Sequence, residues 1–509
     1  RRDNQVKISG QRLELSDVEH VLLQAPGVKD AVVTTIDGPN GPTGVGAWVT
    51  RQPARAAVWP SIAEFFVYDD VVYQAMATDN GRNARYKEGF RRYLPGATVM
   101  EVGPGPFAIL SRLAIEAGAT HVYAVEINPQ VAERARRTIA EHGLQDRISI
   151  IVGDATEVEL PAVVDWCISE IVGGIGGSEG AAAIINAVRP RLTNPENILP
   201  RASVTKIAAV EFPLDALDDG FTGLAHSYVE RIFEQVGRRF DLRLCLRNFD
   251  RNAVLSSPGI FEDLDFTTEM DLESTHDIEL SVLRNGRVTG FLLWLTMDVG
   301  ANREIDILTG SSSWLPVYVA LDLEGMAVAT GDRIEARVRR VLGRGGRHQD
   351  YEIDGELIGT DGRRRLIRVD IPHASDGFRE APLHRHLFAA DGGVKIIEDR
   401  FVENVRDHAS AHLPRYAVPG LVREIETVPL TVNGKIAHDE LPTLLASPIA
   451  RAKVSGEVNL DSRAEAIATV FKELLGLDVI DPRTSFFSLG GDSIGAIKAV
   501  GRLSDVGIG

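Results

Sequence analysis

TVMEVGPGPFAILSRLAIEAGATHVYAVEINP, residues 98–129, decides how the middle of this chain is read. It opens on a short apolar run, Val99-Met100-Glu101-Val102, with the composition of a buried strand. Gly103 and Gly105 follow, then Ile109, Leu110, Leu113 and Ala114 at helical spacing, with Gly118 as the stop signal. A second strand over 121–125 ends on an acid, Glu126. Strand, glycine turn, helix, strand and then a carboxylate about 20 residues past the glycines is the order a nucleotide-binding βαβ unit requires. The glycines let the backbone approach a ligand, and the carboxylate can accept from two ribose hydroxyls.

The spacing alone does not name the nucleotide. A dinucleotide site wants a third glycine, whereas the run here is Gly103-Pro104-Gly105-Pro106-Phe107-Ala108, with prolines removing N–H groups a pyrophosphate would use. The form resembles motif I of S-adenosylmethionine-dependent methyltransferases, with Phe107 where that family has its last glycine. The resemblance implies a Rossmann-like domain over 59–200, with Glu101, Gly103, Gly105 and Glu126 binding S-adenosylmethionine. Asp154, at the end of a third strand over 148–152, would hold the adenine amine.

Upstream, Met76, Asp79, Arg82 and Tyr86 are spaced as in the N-terminal helices of protein arginine methyltransferases. By that resemblance Arg82 pairs with the cofactor's carboxylate, a task suited to a planar fork of donors. Glu157-Val158-Glu159-Leu160-Pro161 matches a further phrase of that family. Glu170 and Glu179, nine residues apart on a glycine-rich loop, copy its double-glutamate loop. Two carboxylates there have a chemical rationale. Methyl transfer moves positive charge from sulfur to the attacking nitrogen, and fixed anions beside that nitrogen stabilise the transition state.

From 201 to 390 the pattern turns to period-two alternation separated by Gly, Asn and Asp, with Arg284-Asn285-Gly286-Arg287 as a hairpin signal. A β-barrel appended to the cofactor half is expected, the order found in arginine methyltransferases. Their Thr-His-Trp loop is matched by Ser312-Ser313-Trp314, so Ser313 stands in place of the family's histidine. That histidine's partner acid would be Asp79, and its loss makes an α-amine a more attractive acceptor than a guanidinium.

The flanks carry a different resemblance. Arg2, Asp3, Gln5-Val6-Lys7-Ile8, Gly10 and Arg12-Leu13-Glu14-Leu15 resemble the entry to the C-terminal subdomain of nonribosomal peptide synthetase adenylation domains, with Asp3 as its hinge. Ser16 with Glu19 reads as a capping box for the helix that follows. The same subdomain resumes over 391–448 with LPRYAVP at 413–419 and PLTVNGK at 429–435, where Lys435 would be the mobile lysine that stabilises the acyl phosphate. Finally, FFSLGGDS at 486–493 resembles a peptidyl carrier domain, whose serine (Ser493 here) bears 4′-phosphopantetheine. A phosphate there would profit from a helix N-terminus.

The fold class expected is multidomain, α/β and α+β. A Rossmann-like methyltransferase (59–200) and its β-barrel (201–390) would interrupt a small α+β adenylation subdomain (1–58 and 391–448), followed by a truncated helical carrier (456–509). An insertion in a surface loop costs little folding free energy. The resemblance implies methylation of a pantetheine-tethered aminoacyl group, its backbone amine favoured. Side-chain methylation (a guanidino group included) and a repurposed, structural or racemising insert stay open. Partners would be the large adenylation subdomain, absent from this sequence, and the other synthetase domains.

Composition agrees with such a machine. A net charge of −17 argues against nucleic acid as the main partner. Two cysteines, Cys167 and Cys245, make no disulfide scaffold, and no spacing points to a metal site. No signal peptide or membrane-length apolar run is present in the sequence, so a cytoplasmic location is expected.

Overall fold

The structure is a computed structural model. It describes residues 5–8, 11–38, 41–52, 56–65, 67, 70–212, 217, 220–309, 313–343, 346, 348–374, 383–388, 396–397, 400–425 and scattered positions beyond (428, 429, 436, 441, 467, 469–471, 502 and 503). The chain divides into two compact units, one made of Arg1–Ala54 with Asp399–Gly509, the other of Arg55–Glu398. These divisions fall at 54/55 and 398/399, not at the 58/59 and 390/391 read from the sequence. The reason is that strands Ala57–Pro60 and Ile396–Ile397 both join a sheet of the second unit.

In the first unit the two distant pieces share one core. The hairpin Gln5–Ile8/Gln11–Glu14 leads into helix Leu15–Leu23, and strand Val28–Gly38 pairs antiparallel with Gly41–Arg51. The returning chain adds Leu421–Glu424 in parallel to Gly41–Arg51 and helix Phe401–His412 over it. Val18, Leu22, Val33 and Val49 are buried with Phe401, Val405 and Ala409 in one cluster. Arg51 makes two 2.9 Å bonds to Glu424 and lies 4.1 Å over the Phe401 ring. The expected capping box is absent. Glu14 caps the helix without a side-chain bond, and Glu19 instead accepts from the Val33 N–H at 2.9 Å.

After strand Ala57–Pro60 the second unit has two helices, Asp70–Thr78 and Asn80–Tyr93, separated at Asp79, whose side chain caps the second by accepting from the Arg82 N–H. A parallel sheet follows, in the order Ile198–Leu199, Trp166–Ser169, Thr98–Val102, His121–Glu126, Ile148–Val152. Its inner strands are buried on both faces, which is why Thr98–Val102 reads as a continuous apolar run. Helix Pro129–Glu141 starts as the sequence demands, with Asn128 accepting from the Gln130 and Val131 N–H groups and Pro129 at the first turn.

The remainder is β-rich. Ala202–Val210, Gly259–Asp265, Gly290–Asp298, Val317–Ala320 and Leu244–Arg247 belong to one sheet; Ser274–Ser281, Arg333–Leu342, Gln349–Ile358 and Arg364–Ile371 form another. Their inward residues, among them Ile207, Leu293, Ile334 and Ile353, share a core. Among the described residues the ladders place these strands in two sheets, and backbone bonds from Ser257 to Ser281 and from Leu283 to Leu255 link the segments before the first sheet's Gly259–Asp265 and after the second sheet's Ser274–Ser281. The Asn-Gly hairpin does not form: Gly286–Val288 pairs with Met326–Val328, and Asn285 accepts from the Thr330 N–H at 2.8 Å.

Candidate active site

The glycine turn folds as its sequence requires. Gly103 and Gly105 have φ of 72° and 61°, in the left-handed region that glycine tolerates without penalty. A Cβ at Gly105 would only touch Tyr73 of helix Asp70–Thr78, at 3.4 Å, so the positive φ rather than crowding is what calls for glycine there. Glu126, at the end of its strand, accepts from the Gly105 N–H at 3.3 Å and the Asn128 N–H at 2.9 Å. Its pKa is raised, with burial as the main cause. Glu101 is fully enclosed, bonded to the Ser111 hydroxyl, and burial lifts it to about 7, with the Glu126 carboxylate adding to the push. Asp154 spends one oxygen on the Thr156 N–H (2.9 Å) and hydroxyl (2.7 Å). Two large apolar side chains next to these acids are exposed, Ile127 at 51% and Val152 at 41%.

Arg82 lies between the turn and the loop. It is 4% exposed, ion-paired with Glu170, and donates to the Met76 carbonyl at 2.9 Å. Its guanidinium stands 5.7 Å from the Tyr86 ring and 5.6 Å from the Trp314 ring. Tyr86 in turn donates to the Ser169 carbonyl, tying this helix to the end of the strand that precedes Glu170. Arg82 Nε and Glu170 Oε1 are buried without a hydrogen-bond partner among the described residues.

Glu179 sits at the far end of the same loop, just before helix Ala181–Val188. Its Oε1 lies 3.3 Å from where a Cβ on Gly173 would be, so the glycine makes room for it. Burial pushes its carboxyl up to about 8, and the Glu64 carboxylate adds to the shift. Asp79 does reach the Ser313 loop, by accepting from the Ser313 backbone N–H at 2.8 Å. Trp314 Nε1 donates to the Val172 carbonyl at 3.0 Å.

Glu101, Gly105, Glu126, Arg82 and Glu170 therefore form one connected cluster, while Glu179 lies near a group the sequence did not flag. Glu64 is buried, 3.0 Å from Arg243 and 3.3 Å from His373, and accepts from the Ser61 hydroxyl. Burial pushes its carboxyl up, but Arg243 and His373 together overcome that and hold it at about 2. His373 stacks on His348 at 4.1 Å, and His348 Nδ1 is 3.1 Å from the Ser178 carbonyl. These residues come from segments scattered between 61 and 373 with no common motif, so only the fold could assemble them. Asp3, Lys435 and Ser493 lie outside the described residues. Among the described residues no group of three or more His, Cys, Asp or Glu is placed to hold a metal.

The cradle fits S-adenosylmethionine on its own terms. It offers paired left-handed glycines, a carboxylate bonded to one of them at the strand end, exposed apolar side chains nearby, and a buried cation with an orphaned donor. Fold and site together define a Rossmann-like methyltransferase with an appended β-rich half.

Comparison with known proteins extends this. Residues 465–508 match the family of phosphopantetheine attachment sites. The chain is similar to an arginine N(omega)-methyltransferase of Streptomyces achromogenes, 26% identical over 273 residues, covering 52% of this chain and 74% of that protein. It is also similar to the cyclosporin synthetase of Tolypocladium inflatum, 23% identical across 99% of this chain but only 4% of that enzyme. Among solved structures, the protein arginine methyltransferase 10 of Arabidopsis thaliana is similar over 59% of this chain and 96% of its own, with 19% identity and a TM-score of 0.49. The chain thus combines nonribosomal peptide synthetase sequence and a phosphopantetheine attachment site with an arginine-methyltransferase-like, S-adenosylmethionine-dependent insert. It spans a small fraction of the synthetases it resembles.

Proposed function

We propose that the insert methylates the backbone amine of an aminoacyl group carried as a thioester on pantetheine, the arm being attached at Ser493. Bound S-adenosylmethionine supplies an electrophilic methyl group. The residues of this chain then bind, orient and deprotonate the acceptor. Arg82 and Glu126 would fix the cofactor's two ends, with Glu101 and the two glycines between them. An ammonium entering beside the loop gives up a proton to the Glu179 carboxylate, which frees the nitrogen lone pair for in-line attack.

The observation that carries this reading is the pairing of Glu170 with Arg82. Glu170 is already engaged by Arg82, so Glu179, once ionised, is the loop carboxylate left for a compact, singly charged ammonium, whereas a guanidinium is best held at two points. Ser313, where a histidine would accompany guanidinium chemistry, agrees with it. Side-chain methylation draws on the same two acids and is the competing outcome. The flanking unit is read as an adenylation subdomain in two pieces, with Asp3 as its hinge and Lys435 supporting acyl-phosphate chemistry.

Mass spectrometry of an aminoacyl-loaded synthetase module with S-adenosylmethionine tests the proposal. Fragment ions should place the added methyl on the α-nitrogen. A methyl on the side chain would replace this reading with the competing one, and no methyl on any loaded residue would leave a non-catalytic insert.

A further inference from the structure

Four groups of the β-rich half grip the loop between Glu170 and Glu179. Trp314 takes the Val172 carbonyl (3.0 Å), Thr205 Oγ1 accepts from the Gly176 N–H (2.9 Å), Glu262 Oε2 accepts from the Gly177 N–H (2.7 Å), and His348 meets the Ser178 carbonyl (3.1 Å). The grip is close: a Cβ on Gly177 would fall 2.6 Å from Glu262 Oε1. Glu262 differs from the other three. It is a carboxylate only 3% exposed, and it also receives the Tyr351 hydroxyl at 3.1 Å and Arg340 Nη1 at 3.3 Å. Tyr351 is 1% exposed and Arg340 6%. Burial and the Glu262 charge hold the Tyr351 hydroxyl well above its ordinary value, so it stays a donor.

A buried ion pair is often a poor way to gain stability, since well-packed apolar residues can do as well or better, and its best-attested use is in fixing one geometry. The geometry fixed here is that of Gly177, two residues before Glu179. We propose that Glu262, backed by Arg340 and Tyr351, is a positioning residue for methyl transfer: it holds the loop at Gly177 so that the Glu179 carboxyl stays at the acceptor site. The inference rests on the reading that this loop receives the methyl acceptor. It assigns the β-rich half a role in the chemistry although Glu262 itself touches no reactant.

The test uses the full chain with two substitutions on different strands. Glu262→Gln removes the charge, and Thr205→Val removes the neighbouring acceptor at nearly constant volume while leaving no charge unpaired. Hydrogen exchange followed by mass spectrometry should show peptides spanning 170–180 exchanging about tenfold faster in both variants, with peptides spanning 98–130 unchanged. Affinity for S-adenosylmethionine by calorimetry, and its KM, should stay at the wild-type value. Turnover of aminoacyl-pantetheine thioesters should fall in kcat by about 10- to 100-fold, the usual cost of misplacing a reacting group by about 1 Å. Unchanged loop exchange overturns the proposal. So does a loss of cofactor affinity together with faster exchange throughout, which marks a merely structural role. If the wild type methylates none of the thioesters, the proposed acceptor fails, and loop exchange with unchanged cofactor affinity alone decides the positioning role.

Discussion

Burial places the Glu179 proton near the working pH, and this has consequences for both rate and stability. Its carboxyl is held at about 8 against 4.5 in the unfolded chain. Between those values the unfolded state has released this proton and the folded state keeps it, so rising pH favours unfolding across the window, and the cost is complete above about 8. Glu179→Gln should therefore stabilise the protein by about 2–4 kcal/mol at pH 9 and leave it unchanged at pH 4, as read by urea unfolding at both pH values. Equal effects at the two pH values would refute the assignment. The rate moves the other way: wild-type methyl transfer should rise as pH passes through about 8, and the variant should lose about 10²- to 10⁴-fold and be flat there. Glu64 has the opposite sign. Its folded value of about 2 gives stability that is present above 4.5 and disappears as pH falls through 2. Glu64→Gln leaves Arg243, 3% exposed at its side chain, buried without that countercharge. About 3–5 kcal/mol should be lost at neutral pH by the same measurement, and much less near pH 2.

At the scale of elements, what the sequence conveys is what neighbouring residues decide. The βαβ unit is legible because buried strands, left-handed glycines and an Asn-Pro helix start are each local, and they agree. The pairing of Ser16 with Glu19 is equally local, yet the strand Val28–Gly38 offers Glu19 a backbone donor and takes it away. Gly286 likewise finds a distant partner strand in Met326–Val328. Glu170 could be found through its spacing, but the pairing that neutralises it needs a helix some ninety residues earlier in the chain. Glu64, Glu262 and the two histidines gave no signal at all. One further element carries a stability prediction. Gly89, inside helix Asn80–Tyr93, has no room for a side chain, because a Cβ there would overlap the Val299 carbonyl oxygen. Gly89→Ala gains helix propensity, about 1 kcal/mol, but must push that helix off the β-rich half. The overlap should win and destabilise the protein by about 1–3 kcal/mol in thermal or urea unfolding. A variant as stable as the wild type would show that the helix docks elsewhere.

On the scale of the whole molecule, the insert must begin and end at one place if its host is to close around it. The second unit meets this demand with three short strands: Phe221 is the register partner of Val58 on one side and of Ile396 on the other, both in parallel. Its first and last strands are therefore separated by a single strand, about 10 Å at the usual spacing. The host needs the same closeness from its own side, and it has it, since Gly41–Arg51 and Leu421–Glu424 are paired directly although the whole of the second unit lies between them in sequence. Among the described residues each unit also has hydrophobic clusters made of its own residues. A chain of residues 55–398 expressed by itself should then fold, melt in one transition and bind S-adenosylmethionine with the affinity of the full chain, by calorimetry. Val58→Pro should separate the ends, because proline cannot donate within a sheet and Val58 is 1% exposed between its neighbours. In the isolated unit that substitution should lower the melting temperature, while affinity measured well below the melt stays the same, since no cofactor-cradle residue lies on those strands. If the isolated unit fails to fold, the flanking sequence supplies part of its core, and the division of the hydrophobic clusters between the units is not a separation of folding units.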